Sequence, residues 1–255
     1  MTPAVSILVP VFNQVPAYLR AALLSAKRQT HKCQIVVVDD GSEPRQWPIV
    51  EEVLSGMVGQ YGIGEPIYQA VYDWQENKGV AGALNQAIKF ATGEYIQWLP
   101  SDDVFLPEKT AVQLAALQRD GGKVSYTAYE EGIPQIIQTV PAPQYPTQVA
   151  FFEALREHCF VNSGTIMWHR SAFEEVGVFK VLLHCEDAEF ALRCAEKFNY
   201  VAVNRPLVRR RIHQGQLSQE LGKAEAHRKA KEESIAWINE RYGSRWGTYV
   251  PPTVG

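Results

Sequence analysis

The chain has 255 residues, of which 46% are hydrophobic and 21% are charged, and its formal net charge at neutral pH is -3. This is the composition of a globular protein, long enough for one large α/β domain or two small ones. Because nucleic-acid interfaces are strongly basic, the slightly acidic balance excludes nucleic acid as an expected partner.

The N-terminus has no charged segment leading into a long apolar stretch, so we predict no secretory signal. Apolar runs such as residues 35–38 are too short to cross a bilayer, and we predict no transmembrane segment. No two of the four cysteines have CxxC spacing, which argues against a structural zinc site. We expect reduced thiols in a cytoplasmic protein.

The first forty residues predict a βαβ unit. Residues 5–9 form an apolar run ended by Pro10, which is typical of a buried strand. Pro16 opens a helical pattern with apolar residues at i, i+3, i+4 and i+7. Residues 34–38 predict a second buried strand. The sheet is therefore expected to begin parallel.

Strands and helices continue to alternate up to residue 128, with Gly93 expected at the C′ position of one helix. In chain order the patterns predict a helix over 49–58, a strand over 66–71, a helix over 80–91, a strand over 95–99, a helix over 107–117 and a strand over 123–128.

The pattern weakens between residues 130 and 146, where four prolines predict a loop-rich crossing. Beyond it the sequence predicts a strand over 165–169, a helix over 187–198, an edge strand over 207–212 and a charged helix over 222–241. In the last helix, Glu225 with Lys229 and Arg228 with Glu232 have the i,i+4 spacing of stabilising ion pairs.

Three predicted strands end in polar or acidic turns, at residues 10–13, 39–42 and 101–103. Open α/β sheets bind ligands at the carboxyl ends of their strands, where such turns converge. Neighbouring carboxylates repel one another unless a cation or water separates them, and oxygen ligands suit Mg²⁺ or Mn²⁺. An isolated Asp102-Asp103 pair is more often a solvated turn that caps the following helix. The neighbouring turns favour the cation site instead.

Several segments in order resemble those of the family 2 glycosyltransferases, over about residues 4 to 218. They are residues 5–13, 36–42, 77–85, 93–103, 168–179, 186–187 and 211–213. The resemblance implies a GT-A fold, an α/β class with a Rossmann-like, mostly parallel central sheet flanked by helices and followed by a C-terminal helical tail. It divides the chain into a GT-A domain over 1–220, with a nucleotide-sugar half over about 1–105 and an acceptor half over about 106–220, and a helix and tail over 221–255.

The resemblance also implies an inverting transfer of a sugar from a nucleotide-diphosphate donor, with UDP as the default nucleotide, to an acceptor hydroxyl of a carbohydrate or glycoconjugate. Asp40 would accept a hydrogen bond from the base. The other residues expected to contact the nucleotide-sugar are Pro10, Phe12, Asn77, Gly79, Asn85, Asp102, Glu186 and Arg211. Without the resemblance, Phe12 is more simply a core aromatic residue.

Two residues are assigned to the metal and one to proton transfer. Asp103 would bind Mn²⁺ or Mg²⁺ at the diphosphate, although Ser101 stands where the family's usual first aspartate is expected. His213 would bind the metal or offset phosphate charge, where a lone histidine is more often structural. Asp187 would be the general base, taking the proton of the attacking hydroxyl. The simpler interpretation of Asp187 is helix capping, which acidic residues commonly provide.

Three other functions are alternatives to glycosyl transfer. The first strand lacks a following GxGxxG motif, which disfavours a nicotinamide-dependent Rossmann enzyme. A sugar nucleotidyltransferase would carry a glycine-rich basic loop that is missing after this strand. A nucleotide-sugar binding subunit without activity is disfavoured by Asp103 and Asp187. For the tail over 243–255 three placements are open, namely packing on the domain, a homodimer contact, or contact with the inner face of the membrane, and packing is the simplest.

Overall fold

A computed structural model describes residues 4–55, 69–133, 136–182, 184–214, 216 and 225–246. Within these ranges the strands are β1 (Val5–Val11), β2 (Gln34–Asp39), β3 (Ala70–Trp74), β4 (Tyr95–Trp98), β5 (Val104–Phe105), β6 (Val124–Ile133), β7 (Ile136–Val140), β8 (Met167–His169) and β9 (Tyr200–Arg211). The helices are α1 (Pro16–Lys27), α2 (Trp47–Leu54), α3 (Gly79–Phe90), α4 (Lys109–Asp120), α5 (Gln148–Glu157), α6 (Arg170–Val176), α7 (Glu186–Ala195) and α8 (Glu225–Tyr242), with a 3₁₀ turn over Ser163–Thr165. No described helix is long and apolar enough to cross a membrane.

The strands form one sheet in the order β3-β2-β1-β4-β8-β6-β9-β5, and β7 pairs with β6. The four strands from β3 to β4 are mutually parallel, as the βαβ pattern predicts, and β6 is parallel to β9. Strand β8 lies antiparallel between β4 and β6. The chain leaves β1 on one side towards β2 and returns on the other side as β4, which places a topological switch point at the carboxyl ends of β1 and β4. The predicted α/β class is confirmed.

Helices cover both faces of the sheet because its strands are apolar on both sides. In β1, Ile7 and Val9 belong to the cluster beneath α1, α2 and α4, whereas Leu8 points to the opposite cluster beneath α3 and α7. This alternation follows from the two-residue period of a strand. Strands buried on both faces are typical of parallel sheets enclosed by helices.

Two local predictions differ from the structure. Strand β1 continues through Pro10 to Val11 rather than ending at Pro10. Pro10 has no N–H to donate, but the sheet loses no hydrogen bond here. The nitrogen of Pro10 faces the β4 side, and β4 does not pair with β1 beyond Leu8. Gly93 does not cap α3, which ends at an extended Ala91. A Cβ on Gly93 would lie 2.6 Å from the backbone nitrogen of Ser6, so glycine is needed for close contact with β1.

The prediction of a loop over 130–146 is wrong for most of this segment. Strand β6 extends to Ile133 and forms an antiparallel hairpin with β7, and Pro141 follows the second strand. The described prolines of this segment, Pro141, Pro143 and Pro146, follow β7, where they interrupt no ladder bond. The predicted edge strand is also corrected, since β9 starts at Tyr200 and lies between β6 and β5.

The remaining predicted elements are confirmed with shifted ends, but parts of three predictions, at residues 56–58, 66–68 and 222–224, lie outside the described residues. The same holds for the side chains of Glu225 and Arg228, on which the predicted ion pairs of α8 rest. Lys229 lies 3.9 Å from Glu233 on this helix.

The C-terminal helix packs on the α/β body. Ile238 is fully buried, and the hydroxyl of Tyr242 donates a hydrogen bond to Glu189 of α7 at 2.8 Å. After the helix, the indole of Trp246 donates to the carbonyl of Leu155 in α5. The tail is therefore docked on the domain at least as far as Trp246.

Candidate functional site

A cleft of about 500 Å³ opens at the carboxyl ends of β1, β2 and β4, at the predicted switch point. Eight of the twelve predicted site residues line it: Pro10, Phe12, Asp40, Asp102, Asp103, Glu186, Asp187 and His213. The four predicted residues that are not part of its lining are Asn77, Gly79, Asn85 and Arg211.

The two aspartates at the end of β2 have different roles. Asp39 is fully buried and accepts hydrogen bonds from the backbone of Ser42 and Gln46 and from the Tyr72 hydroxyl, so it holds the turn in shape. Asp40 lines the cleft, and the Gln75 side chain and the Lys78 backbone both donate to its Oδ1 atom. Burial raises the pKa of Asp40. The backbone N–H of Gly79 also favours the ionised form of this carboxyl, which remains an acceptor on the cleft wall.

Asn77 and Gly79 lie in the loop beside Asp40. Gly41 has a φ of +88°, and a Cβ on it would lie 2.9 Å from the backbone nitrogen of Asn77, so the two loops pack closely. The Asn77 side chain accepts a hydrogen bond from the N–H of Gly79, which begins α3 with a φ of +75°. These residues shape the loop next to the cleft.

Asn85 joins α3 to the segment that precedes α7. Its amide donates to the carbonyl of Phe179 at 2.8 Å and accepts from the Phe179 N–H at 3.0 Å. Asn85 therefore links α3 to the segment that leads into α7, and both helices cover the same face of the sheet. Its expected contact with the nucleotide stays a prediction.

The adjacent aspartates after β4 also differ. Asp102 accepts a hydrogen bond from the His213 ring, with 3.0 Å between Oδ2 and Nε2, and both side chains line the cleft. Asp103 is only 2% exposed, and its Oδ1 accepts from the backbone N–H of Arg211 at 3.0 Å. Burial, followed by the charge of Asp102, raises the pKa of Asp103 to about 7. Burial of this turn therefore disfavours the ionised form of Asp103.

The three consecutive arginines of β9 point to different partners, as the two-residue strand period predicts. Arg209 and Arg210 form ion pairs with Glu130 and Glu131 of β6, at 2.8 and 2.7 Å. The guanidinium of Arg211 lies over the Tyr18 ring at 4.2 Å. Of the three, Arg210 lines the cleft.

Asp187 reaches the cleft because of how α7 is packed. Phe190 and Ala191 of this helix are buried. The centroid of the Phe190 ring lies 4.4 Å from that of Phe179 and 5.1 Å from that of Phe173. A helix places residues i, i+3 and i+4 on one face, so Asp187 continues the buried face where the core meets the cleft. Its Oδ1 accepts a hydrogen bond from the Ala188 N–H at 2.8 Å.

Glu186 and Asp187 form a pair of carboxyl groups with raised pKa values. Burial, then the charge of Asp187, raises the pKa of Glu186 to about 8. Burial also raises the pKa of Asp187, while bonds from the Ala188 N–H and the Ser163 hydroxyl and the charge of Arg210 favour its ionised form. Of the pair, Asp187 is therefore the first to ionise, and its charge then favours the protonated form of Glu186.

Glu186→Gln should stabilise the protein at alkaline pH only. Because the pKa of Glu186 is raised from 4.5 to about 8 in the folded state, its ionisation destabilises the fold progressively as the pH rises through this window. We expect no gain at pH 4.5 and a gain of about 2 kcal/mol at pH 9, after discounting for partial exposure. Denaturant unfolding at both pH values measures this.

The same change at the exposed Glu174 provides the control and should alter stability at neither pH. An equal gain for Glu186→Gln at both pH values would assign the effect to packing rather than to ionisation.

The sequence patterns did not predict several of the residues that line the cleft. They include Gln14, Trp98, Asn162, Ser163, His184, Cys185, Gln216 and Lys231. Most are polar residues in turns, whose spacing carries no signal of its own. Lys231 instead lies on α8, beyond the segments that carry the family resemblance.

A larger cleft, of about 690 Å³, lies at the amino ends of β6 and β9. Its charged side chains pair with each other, Arg119 with Asp120 and Lys123 with Glu175. The smaller cleft instead brings together the carboxyl groups of Asp40, Asp102, Asp103, Glu186 and Asp187, and it is therefore the better candidate for chemistry.

Within the described residues, no group of three His, Cys, Asp or Glu side chains is arranged to hold a metal ion. Asp102 and His213 supply one oxygen and one nitrogen, and Asp103 retains an oxygen beyond the one bonded to Arg211. Such a partial set suits a cation that takes further ligands from phosphates. The assignment of Asp103 and His213 to a metal stays a prediction.

Comparisons with known proteins give matches over most of the chain. The model of the family "Glycosyl transferase family 2" matches residues 6–177. An uncharacterised glycosyltransferase of Rickettsia typhi is 28% identical over 225 residues, covering 84% of this chain and 66% of that protein. The Escherichia coli UDP-Glc:alpha-D-GlcNAc-diphosphoundecaprenol beta-1,3-glucosyltransferase WfgD is 25% identical over 206 residues, covering 78% of this chain and 73% of that protein.

Two solved structures share the fold. Residues 1–349 of Staphylococcus aureus TarS in complex with UDP-GlcNAc align with a TM-score of 0.66 at 20% identity, covering 85% of this chain and 60% of that one. The mannosyltransferase PcManGT of Pyrobaculum calidifontis, in complex with GDP-Man and Mn²⁺, aligns with a TM-score of 0.62 at 18% identity, covering 92% and 65%. The chain thus spans about two thirds of the length of the Rickettsia relative and less of the TarS fragment.

Proposed function

The chain belongs to glycosyl transferase family 2 and has the GT-A fold, and on that premise we propose that it moves a sugar from a UDP-sugar to an acceptor hydroxyl with inversion of the anomeric centre. One observation carries the proposal. A single cleft brings the acidic turns after β2 and β4 together with the Glu186–Asp187 pair of α7. A donor bound along the turns would present its sugar to that pair.

The nucleotide is proposed to bind at the end of β1 and β2. Phe12 is 52% exposed and lines the cleft, as an aromatic surface for a base requires. The Asp40 carboxylate lines the cleft and is a suitable acceptor for the ring N–H of uracil. The donor named for WfgD and the ligand of TarS are both UDP-sugars, which supports UDP over other nucleotides.

The diphosphate is proposed to bind with Mn²⁺ or Mg²⁺ at Asp102, Asp103 and His213. The raised pKa of Asp103 marks a turn that a divalent cation would stabilise, and oxygen and imidazole ligands suit Mn²⁺. The Mn²⁺ in the PcManGT complex supports this choice. The metal would neutralise charge on the departing diphosphate.

Asp187 is proposed as the general base. The Ala188 N–H and the Ser163 hydroxyl favour the ionised form of Asp187, and the charge of Asp187 in turn favours the protonated form of Glu186. Its carboxylate would take the proton of the acceptor hydroxyl as that oxygen attacks the anomeric carbon. A single displacement of this kind inverts the configuration.

A thermal-shift screen of nucleotide sugars with and without Mn²⁺ tests the proposal. We expect a UDP-sugar to raise the unfolding temperature in Mn²⁺ and to do so much less in EDTA, because a ligand that binds only the folded state stabilises it by mass action. The ligand found is then tested for metal-dependent hydrolysis of the donor. Binding without any hydrolysis or transfer would favour an inactive nucleotide-sugar binding subunit instead.

A further inference from the structure

Lys231 is a cationic residue of the cleft that comes from outside the matched family region. It lies on α8, whereas the family match ends at residue 177. It is half-buried and lines the cleft together with His184, Cys185 and Glu186. Its charge acts on the Cys185 thiol, two residues before Asp187 in the chain.

The position of Lys231 is fixed by the packing of its helix. Ser234, Ile238 and Tyr242 are each at most 7% exposed and lie at i+3, i+7 and i+11 from Lys231. This spacing places all four residues on the face that packs against the body. The Lys180 ammonium lies 4.2 Å from the Trp237 ring, which further holds α8 in place. Lys231 therefore continues the buried stripe at the point where the core ends and the cleft begins.

The charges around the cleft distinguish Lys231 from its other cations. Arg210 is paired with Glu131, and His213 is bonded to Asp102. Within the described part of the chain, the Lys231 ammonium has neither an ion pair nor a hydrogen bond. Its charge acts on the thiol of Cys185, the residue that precedes Glu186. An ammonium on the wall of a cleft is well suited to an anionic ligand group.

We propose that Lys231 binds a phosphate group of the acceptor, so that the preferred acceptor is a glycosyl phosphate or diphosphate. The donor's own diphosphate is assigned to the turn at Asp102 and Asp103 after β4, whereas Lys231 comes from α8. An anion at Lys231 is therefore contributed by the second substrate. The ammonium would orient that substrate with a sugar hydroxyl towards Asp187. This inference rests on the proposed glycosyl transfer and specifies its acceptor.

The test compares acceptors that differ only in the anionic group. Wild-type protein, Lys231→Ala and Lys229→Ala are assayed with the preferred UDP-sugar, using methyl glycosides and the glycosyl 1-phosphates of the same sugars. Lys229 is the matched control, because it lies on the same helix with its side chain 75% exposed and faces Glu233. We expect the phosphate form to have a KM at least roughly tenfold lower for wild type and Lys229→Ala. In Lys231→Ala this difference should disappear.

A second measurement covers the case in which no acceptor of the panel is used. Protein saturated with UDP and Mn²⁺ is titrated with inorganic phosphate by calorimetry, and we expect binding that is lost in Lys231→Ala and kept in Lys229→Ala. An additional arm with a short prenyl chain on a glycosyl diphosphate separates the sources. A preference for the prenyl form identifies a lipid-linked acceptor, and equal use identifies a soluble one.

Two results would overturn the inference. One is transfer to methyl glycosides and glycosyl phosphates with the same KM in wild type. The other is phosphate binding that is absent, or is unaffected by Lys231→Ala. Either result leaves the proposed function in place if donor turnover is observed. Failure of every UDP-sugar to bind or react would instead overturn the proposed function.

Discussion

Asp187→Asn should leave donor binding intact while transfer falls by roughly a hundred- to ten-thousand-fold, the range typical for loss of a general base. The amide keeps the shape of the side chain, and its oxygen can still accept the hydrogen bond from the Ala188 N–H. It cannot accept the proton of the acceptor hydroxyl. Turnover with the preferred UDP-sugar and calorimetry with UDP measure the two effects separately.

The pH dependence provides an independent check on Asp187. Because burial raises the pKa of this carboxyl, wild-type kcat should fall with decreasing pH at a higher pH than an ordinary aspartate would produce. The base must be ionised to act, so activity is lost as the pH falls through that raised pKa. The residual activity of Asp187→Asn should lack this acidic limb.

Asp120→Asn is the control for the Asp187 variant, since Asp120 pairs with Arg119 far from the cleft. It should have normal turnover. Near-normal turnover of Asp187→Asn would show that Asp187 only caps α7. NMR of the product must also show inversion at the anomeric carbon, because retention would contradict the single displacement.

Local patterns in the sequence predict the part of the fold that local contacts determine. The 3.6-residue period placed Asp187 on the buried face of its helix, and the packing of Phe190 and Ala191 confirms that position. The turns after β1, β2 and β4 line one cleft because parallel strands end at one edge. Each of these predictions needs only a few neighbouring residues.

What the sequence did not predict depends on contacts between distant residues. The β6–β7 hairpin was obscured by nearby prolines, and the pairing of its two strands is visible only in the sheet. The role of Gly93 depends on the approach of Ser6, 87 residues away in the chain. Lys231 reaches the cleft only because the C-terminal helix folds back onto α7. No local propensity encodes these approaches.

Asp103→Asn should reduce the affinity for UDP in Mn²⁺ to the level measured in EDTA. The expectation follows from the assignment of Asp103 as a metal ligand at the diphosphate, where a neutral amide is a far poorer ligand than a carboxylate. The asparagine variant is preferable to alanine, because its side-chain oxygen can still accept the hydrogen bond from the Arg211 N–H. Isothermal calorimetry with UDP, with and without Mn²⁺, gives the affinities.

Uridine serves as the control ligand for the metal experiment. It carries no phosphate, so its affinity should depend on Asp40 and Phe12 and should be the same with and without Mn²⁺ in every variant. Weaker uridine binding by Asp103→Asn would mean that the substitution has disturbed the cleft as a whole. The metal assignment would then have to be tested on Asp102 and His213 alone.

The neighbouring residues decide between two arrangements of the metal site. Asp102 and His213 contact each other at 3.0 Å in the cleft, whereas Asp103 is bonded to the backbone of β9. If Asp102→Asn and His213→Ala lose Mn²⁺-dependent UDP affinity together with Asp103→Asn, all three residues hold the cation. If Asp103→Asn alone retains that affinity, the metal is held by Asp102 and His213, and Asp103 instead anchors β9 beneath them. Retention by all three variants would exclude a metal at this turn, and the charge of the diphosphate would then have to be offset by the arginines of β9.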